Sequence, residues 1–299
     1  MPEGISQCDA GTQSLEKGEE MREFRAKPVV EALTQEYKKQ ADELKSRGVV
    51  PALAIVRVGK REDDLAYERG IIKRFESAGC EAKVHELPED VTFETVRDLL
   101  IQLDKDEKVH GILMFRPLPK HLDEDALRNL VSAGKDADCM SDINAAHVFA
   151  QDGVGYPPCT PEAVIEMLKF YEVSLKGKRV TVVGRSMVVG KPLAMLLLKE
   201  NATVTICHTR TVDLKAECQR ADIICAAAGA PRMIGPDHVS EGQIIMDVGI
   251  NMVDGKLCGD VDYDAVSPLV DAITPVPGGV GGVTTAMLLK HVIASAKGM

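Results

Sequence analysis

The apolar positions of this chain fall into short continuous runs separated by amphipathic stretches. The run "ALAIVRV" (52–58) is partly β-branched, the pattern of a strand buried on both faces of a parallel sheet. Gly59 ends it, and "DDLAYERGIIKRF" (63–75) follows with an acidic start suited to a helix N-terminus. The alternation continues with "AKVHEL" (82–87) as strand, "FETVRDLLIQL" (93–103) as helix, "VHGILMF" (109–115) as strand and "DEDALRNLV" (123–131) as helix. A helix from about Pro28 to Arg47, stopped by Gly48, precedes them all. Such βαβ alternation predicts a parallel sheet with helices on both faces.

Near residue 150 the texture changes to a Gly/Pro-rich link, "QDGVGYPPCTPEA" (151–163), and a second alternating unit begins. It reads "RVTVVG" (179–184) as strand, "GKPLAMLLLKE" (190–200) as helix, and "TVTIC" (203–207), "ADIICAAA" (221–228) and "QIIMDVG" (243–249) as strands. The tail, 284–299, is one more helix, able to pack on either unit. These patterns place a boundary within 155–165, between a first domain over 24–160 and a second over 161–283. Residues 1–23 are largely polar, with no apolar core of a secretory signal, and predict a flexible extension.

Composition narrows the class. In 299 residues, 45% are hydrophobic and 27% charged, as in ordinary globular chains. A net charge of −10 argues against a nucleic-acid or membrane-surface partner. No apolar run is long enough to span a membrane. The eight cysteines (Cys8, Cys80, Cys139, Cys159, Cys207, Cys218, Cys225 and Cys258) form no C-x-x-C pair, which suits a reducing cytoplasm and predicts no metal site.

The stretch "VTVVGRSMVVGKPLAMLLL" (180–198) offers a strand, a glycine turn and a helix with Pro192 near its start. Gly184 suits the tight turn, Gly190 a close helix–strand approach, and the helix N-terminus a pyrophosphate. The spacing differs from G-x-G-x-x-G, so an ordinary strand–helix turn explains this stretch equally well. The second strand ends in Cys207-His208-Thr209-Arg210, without the carboxylate that grips a ribose 2′-hydroxyl in NAD sites. Arg185 and Arg210, with Thr209, suit a 2′-phosphate instead, so the chemistry leans to NADP over NAD. Solvated surface arginines are the plainer alternative.

The segments "RVGKREDDLAYERG", "VHGILMFRPLP", "KDADCMSDINAAHVF", "PPCTPEA", "VVGRSMVVGKP", "NATVTICHTRT", "DVGIN" and "TPVPGGVGGVTT" stand in an order and spacing that resembles the methylenetetrahydrofolate dehydrogenase/cyclohydrolase family. The resemblance covers the chain from about residue 24 onward. It implies a two-domain α/β fold, with an N-terminal α/β folate-binding domain, completed by the C-terminal helix, and a C-terminal Rossmann-type NAD(P)-binding domain. It also implies cytoplasmic homodimers that oxidise 5,10-methylenetetrahydrofolate to the 5,10-methenyl form, many members then hydrolysing that product to 10-formyltetrahydrofolate. Carried over by motif, Tyr67 matches the tyrosine that stacks on the folate and Asp138 the aspartate that bonds the pterin. Pro277, Gly278 and Gly279 match the turn lining the folate pocket. Gly184, Arg185, Ser186, Thr209 and Ile250 match positions that hold the dinucleotide. Read bottom-up, Asp138 also suits a helix or turn cap, and the glycine loop a plain turn.

Two departures set this chain apart. Bifunctional members carry a lysine four residues after the tyrosine, where this chain has Ile71, and a glutamine at the position of Phe115. Lys73 is no substitute: on a helix it lies roughly 240° round from Tyr67, whereas Ile71 lies about 40° round. Arg116 adjoins Phe115, but successive strand residues face opposite ways. Hydride transfer needs no proton acceptor, whereas hydrolysis gains a factor of about 10²–10⁴ from one. The sequence therefore predicts a dehydrogenase with weak or absent cyclohydrolase activity, the alternative being the bifunctional enzyme. Cys139 and Gly282 stand where the family usually has Gly and Pro.

Overall fold

The computed structural model describes residues 21–298. Most of the extension expected over 1–23 lies outside the described residues. Its end is a correction: Arg22–Glu23 form a strand, β1, paired in parallel with a strand near the far end of the chain. After β1 come α1 (Ala26–Ser46), β2 (Ala52–Val58), α2 (Glu62–Ser77), β3 (Glu81–Leu87), α3 (Phe93–Lys105), β4 (Gly111–Met114), α4 (Glu124–Arg128), α5 (Asp142–Ala150) and α6 (Cys159–Phe170). The remainder runs β5 (Arg179–Val183), α7 (Gly190–Lys199), β6 (Thr203–Cys207), α8 (Leu214–Gln219), β7 (Ile223–Ala226), β8 (Ile244–Asp247), β9 (Asn251–Val253), β10 (Lys256–Cys258), α9 (Tyr263–Val266), β11 (Ala272–Ile273) and α10 (Thr284–Lys297).

The first sheet is parallel, in the order β3-β2-β4. Its pleat sorts the apolar runs onto two faces. Leu53, Ile55, Leu113 and Phe115 join the core that holds Ile71 and Phe75 of α2. Ala54, Val56, Ile112 and Met114 join a separate core with Val96 and Leu100 of α3. Phe115 lies just past β4, but its N–H still bonds the Val56 carbonyl at 2.9 Å and extends the pleat by one residue.

The second sheet is parallel throughout, in the order β1-β11-β8-β7-β5-β6. From β5 the chain first winds outward to β6 and then crosses to β7 on the other side. That reversal opens a crevice at the carboxyl end of β5, where open α/β sheets bind their ligands. α10 packs against α1, α2 and α6, so one core runs continuously from Ile55 and Phe115 to Val180 and Met246.

Several elements were not expected from sequence. α6 starts inside the Gly/Pro-rich link, because Pro161 falls in its first turn, where a missing N–H costs nothing. α5, α8 and the β9–β10 hairpin are too short to show a period. The strand expected over 221–228 contracts to β7, and that over 109–115 to β4. No helix among the described residues is long and apolar enough to cross a membrane.

Candidate functional site

Tyr67, Ile71 and Phe75 form one stripe along α2 at four-residue spacing. Ile71 and Phe75 are fully buried, whereas Tyr67 at the rim is 36% exposed. Its hydroxyl end is sunk: burial pushes the phenol well above its usual range, and the negative charge of Asp138 adds to this. The exposed part of Tyr67 is therefore ring. Arg57, buried within β2, bonds Glu68 at 2.7 Å and Glu86 at 3.2 Å, which fixes this turn of α2 against the sheet.

Asp138 lies on a loop wrapped around the buried carboxylate of Asp136. That carboxylate accepts the Met140 N–H at 2.8 Å, the Ser141 N–H at 2.9 Å and the Asn144 amide at 3.0 Å. The wrap forces Cys139 to φ +54°, a left-handed conformation that favours glycine. Asp138 Oδ1 accepts the Cys159 N–H at 2.9 Å in the first turn of α6, so the capping role weighed from sequence is real. Asp138 remains half-buried, so the cap does not seal it from the cleft. Burial raises its carboxyl, while the Cys159 bonds and the charge of Arg116 pull it down. Arg116 thus reaches the site electrostatically, although its neighbour Phe115 packs into the core.

Ile250, Pro277, Gly278 and Gly279 line one cavity of about 290 Å³ between β8 and the loop before α10. Gly278 takes φ +106°, and a Cβ on Gly279 would sit 2.5 Å from the Pro275 carbonyl, so this loop needs its glycines. Thr284 Oγ1 donates to the Gly281 carbonyl at 3.0 Å, tying the first residue of α10 back to the loop. A Cβ on Gly282 would sit 2.7 Å from that of Ala26, so the backbone of this chain at 282 is fitted to glycine.

At the crevice beyond β5, Gly184 takes φ +138°, and a Cβ there would sit 2.1 Å from the Ala227 carbonyl. A Cβ on Gly190 would sit 2.2 Å from the Gly184 carbonyl, so the turn and the start of α7 touch backbone to backbone. Ser186 Oγ accepts the Val189 N–H at 3.0 Å and shapes this turn from within. Arg185 and Arg210 lie exposed beyond the paired ends of β5 and β6, and neither is ion-paired among the described residues. Thr209 is exposed in a tight turn closed by the Thr211 N–H on the His208 carbonyl at 2.8 Å. A glycine cradle with two uncompensated cations beside it fits a phosphorylated dinucleotide.

Residues 24–138 match the family described as tetrahydrofolate dehydrogenase/cyclohydrolase, catalytic domain, and residues 158–299 match its NAD(P)-binding domain. The chain belongs to the tetrahydrofolate dehydrogenase/cyclohydrolase family. Within that family it is 52% identical over 274 residues to the bifunctional protein FolD of Carboxydothermus hydrogenoformans, covering 91% of this chain and 96% of that one. The solved bifunctional FolD of Campylobacter jejuni is 38% identical with a TM-score of 0.90, over 93% of this chain and 99% of that one. The Trypanosoma brucei dehydrogenase-cyclohydrolase, solved with NADP cofactor and an inhibitor, is 35% identical with a TM-score of 0.88, over 93% and 98%.

Sequence reading overlooked the buried charges that hold these family motifs in place. Asp260, fully buried, gathers the N–H groups of Ala228, Gly229 and Ala230 at 2.6, 2.9 and 2.9 Å and so shapes the loop after β7. Asp247 accepts from Gly249, Asp260 and Val261, each at 3.0 Å, and sets the turn that carries Ile250. Burial pushes the Asp247 carboxyl up to about 7 against those three bonds. Arg57 and Asp247 each interrupt an apolar run, and that interruption is the signal that was available.

Proposed function

We propose that this protein oxidises 5,10-methylenetetrahydrofolate to 5,10-methenyltetrahydrofolate with NADP as acceptor, and that it hydrolyses the product weakly or not at all. Tyr67 offers its ring as the folate platform, and Asp138 holds the pterin. Pro277, Gly278 and Gly279 let backbone approach the substrate. Gly184, Arg185, Ser186, Gly190, Thr209, Arg210 and Ile250 hold the dinucleotide, with the two arginines on the 2′-phosphate. NADP, when bound, supplies the hydride acceptor. The substrate's own N5 lone pair drives the hydride out, so the protein's task is alignment, and no base is needed beside Tyr67.

The observation that carries the loss of hydrolysis is the burial of Ile71 and Phe115, 0% and 6% exposed, at positions where the resemblance implies a lysine and a glutamine. Buried hydrocarbon side chains at both positions offer no proton relay. The bifunctional enzyme is the second reading, and the comparisons favour it, since relatives about half identical to this chain are named bifunctional. Under that reading Arg116, whose charge reaches Asp138, is the first candidate for the missing polar role.

The deciding experiment supplies purified protein with methenyltetrahydrofolate near neutral pH and follows its absorbance against buffer. Decay at the buffer rate supports the first reading, and acceleration in proportion to enzyme establishes the second. Reduced nicotinamide formed from methylenetetrahydrofolate tests the dehydrogenase itself. The homodimer and the cytoplasmic location implied by the resemblance belong to the same proposal, and sedimentation and cell fractionation test them.

A further inference from the structure

Behind the Asp138 loop lies a buried cluster that the proposed reaction does not use. His291 of α10 is 2% exposed, and both of its ring nitrogens face oxygen. Nδ1 lies 2.7 Å from the Ala137 carbonyl, and Nε2 is bonded to the Glu162 carboxylate. Glu162 is held in turn by Lys290 at 2.8 Å. The Cys159 thiol points to the same Ala137 carbonyl at 3.5 Å, while its backbone N–H binds Asp138 Oδ1 at 2.9 Å. Tyr156 stacks on the imidazole with centroids 4.8 Å apart.

A carbonyl and a carboxylate only accept hydrogen bonds, and a neutral imidazole has one N–H to give. The ring that satisfies both partners is the imidazolium. The groups facing it are Glu162 and Cys159 of α6, Tyr156 of the preceding loop, Ala137 of the Asp138 loop and Lys290 on its own helix. Burial opposes the charge and so does Lys290, but Glu162 outweighs them and raises the imidazole above its usual range. The cluster is not a cysteine nucleophile, because Cys159 is 2% exposed and burial with nearby carboxylates raises its thiol far above the usual range.

We propose that His291 is a positioning residue for Asp138, a buried cation that ties the Ala137–Asp138 peptide to α6 and so fixes the carboxylate at the folate cleft. The proposal rests on the reading of Asp138 as the group that holds the pterin.

The test uses the full chain with His291→Leu, which removes both donors, and His291→Gln, which keeps one. Melting followed by circular dichroism reports folding, the fluorescence of added NADPH reports dinucleotide binding, and initial rates give KM and kcat. His291→Leu is expected to raise the folate KM about tenfold, the equivalent of about 1.4 kcal/mol, with NADP binding within about twofold. His291→Gln is expected to recover part of the loss. An unchanged folate KM in folded His291→Leu overturns the proposal.

Combining the change with Asp138→Asn separates the two ideas. Asp138→Asn with an unchanged folate KM removes the role of Asp138, and the proposal goes with it. A raised KM in Asp138→Asn to which His291→Leu adds its full factor keeps Asp138 in its role and overturns that of His291. A factor that vanishes in the double variant supports both. If His291→Leu does not fold, nitrogen NMR of histidine-labelled wild type decides. Two ring nitrogens that stay protonated above the ordinary 6.5 support the proposal, and a ring already neutral there overturns it.

Discussion

The ring of Phe115 lies 5.8 Å from that of Tyr67 and is tilted 35° to it. Such aromatic pairs contribute about 0.5–1.5 kcal/mol beyond their buried area. Phe115 therefore braces the proposed folate platform from the core side. Phe115→Ala is expected to cost about 3–5 kcal/mol of stability and to raise the folate KM, whereas Phe115→Leu loses less of both. Denaturant titration and initial rates measure the two effects, and lost stability with an unchanged KM would confine Phe115 to the core.

Arg185 and Arg210, at adjacent strand ends and without an ion pair among the described residues, give a separate expectation for the cofactor. Arg185→Ala and Arg210→Ala should each weaken NADP binding by about 1.5–3 kcal/mol, the range for a hydrogen bond to a charged group. NAD binding should scarcely move, because it lacks the 2′-phosphate. Titration of both variants with both dinucleotides checks this. Equal losses for NAD and NADP, or a wild type that prefers NAD, would rule it out.

Gly184→Ala tests the crevice itself. The new methyl would meet the Ala227 carbonyl at 2.1 Å, on a backbone held at φ +138°. Strain of this kind costs about 1–3 kcal/mol before any clash is counted. The variant should melt lower and lose dinucleotide binding, while Gly177→Ala, at φ +77° with open space around it, should show the backbone penalty alone.

The Glu162–His291 pair makes stability depend on pH at both ends. Burial pushes the Glu162 carboxyl up, but His291 and Lys290 outweigh it and hold it at about 2. Its contribution is complete above the ordinary value of 4.5 and is lost as pH falls from there toward 2. His291 is raised above its ordinary 6.5, so its contribution is complete below 6.5 and is lost as pH climbs through the raised value. Both are present together between 4.5 and 6.5. Urea midpoints of wild type minus His291→Leu, measured across pH, should be largest in that window and shrink on either side. A difference flat in pH would mean that the pair does not titrate with unfolding.

The parallel sheets were legible because each central strand is an apolar run bounded by glycine or a charged turn. Runs such as 52–58 and 179–184 have no other good use in an α/β chain. β1 was not legible, since its two residues carry charge and owe their extended form to Ala272 and Ile273, some 250 positions away. Tyr67 and Asp138 could be singled out by local motif, and the charge of Asp138 is felt at the Tyr67 phenol. Their supports could not. Arg57 with Glu68, Asp260 with the Ala228 N–H, and His291 with Glu162 are pairings across elements, and a linear pattern does not say which buried charge meets which. The meaning of Cys139 changed as well, since the left-handed backbone shows why glycine is usual there.

The path of the backbone at its start has a mechanical consequence. Arg22 and Glu23 are stitched into the second sheet, Phe24 bonds the Ile273 carbonyl at 2.9 Å, and Ala26 bonds that of Gly278 at 2.8 Å. α1 then leaves for the first sheet, and α10 comes back to lie against it. The two sheets are thus laced together at both ends of the described chain, with the Gly/Pro-rich link as a third crossing. Three crossings in place of one leave relative motion of the two sheets fewer free directions than a single linker would. Pulling the sheets apart with force on the two ends would unpick β1 before it loaded the link.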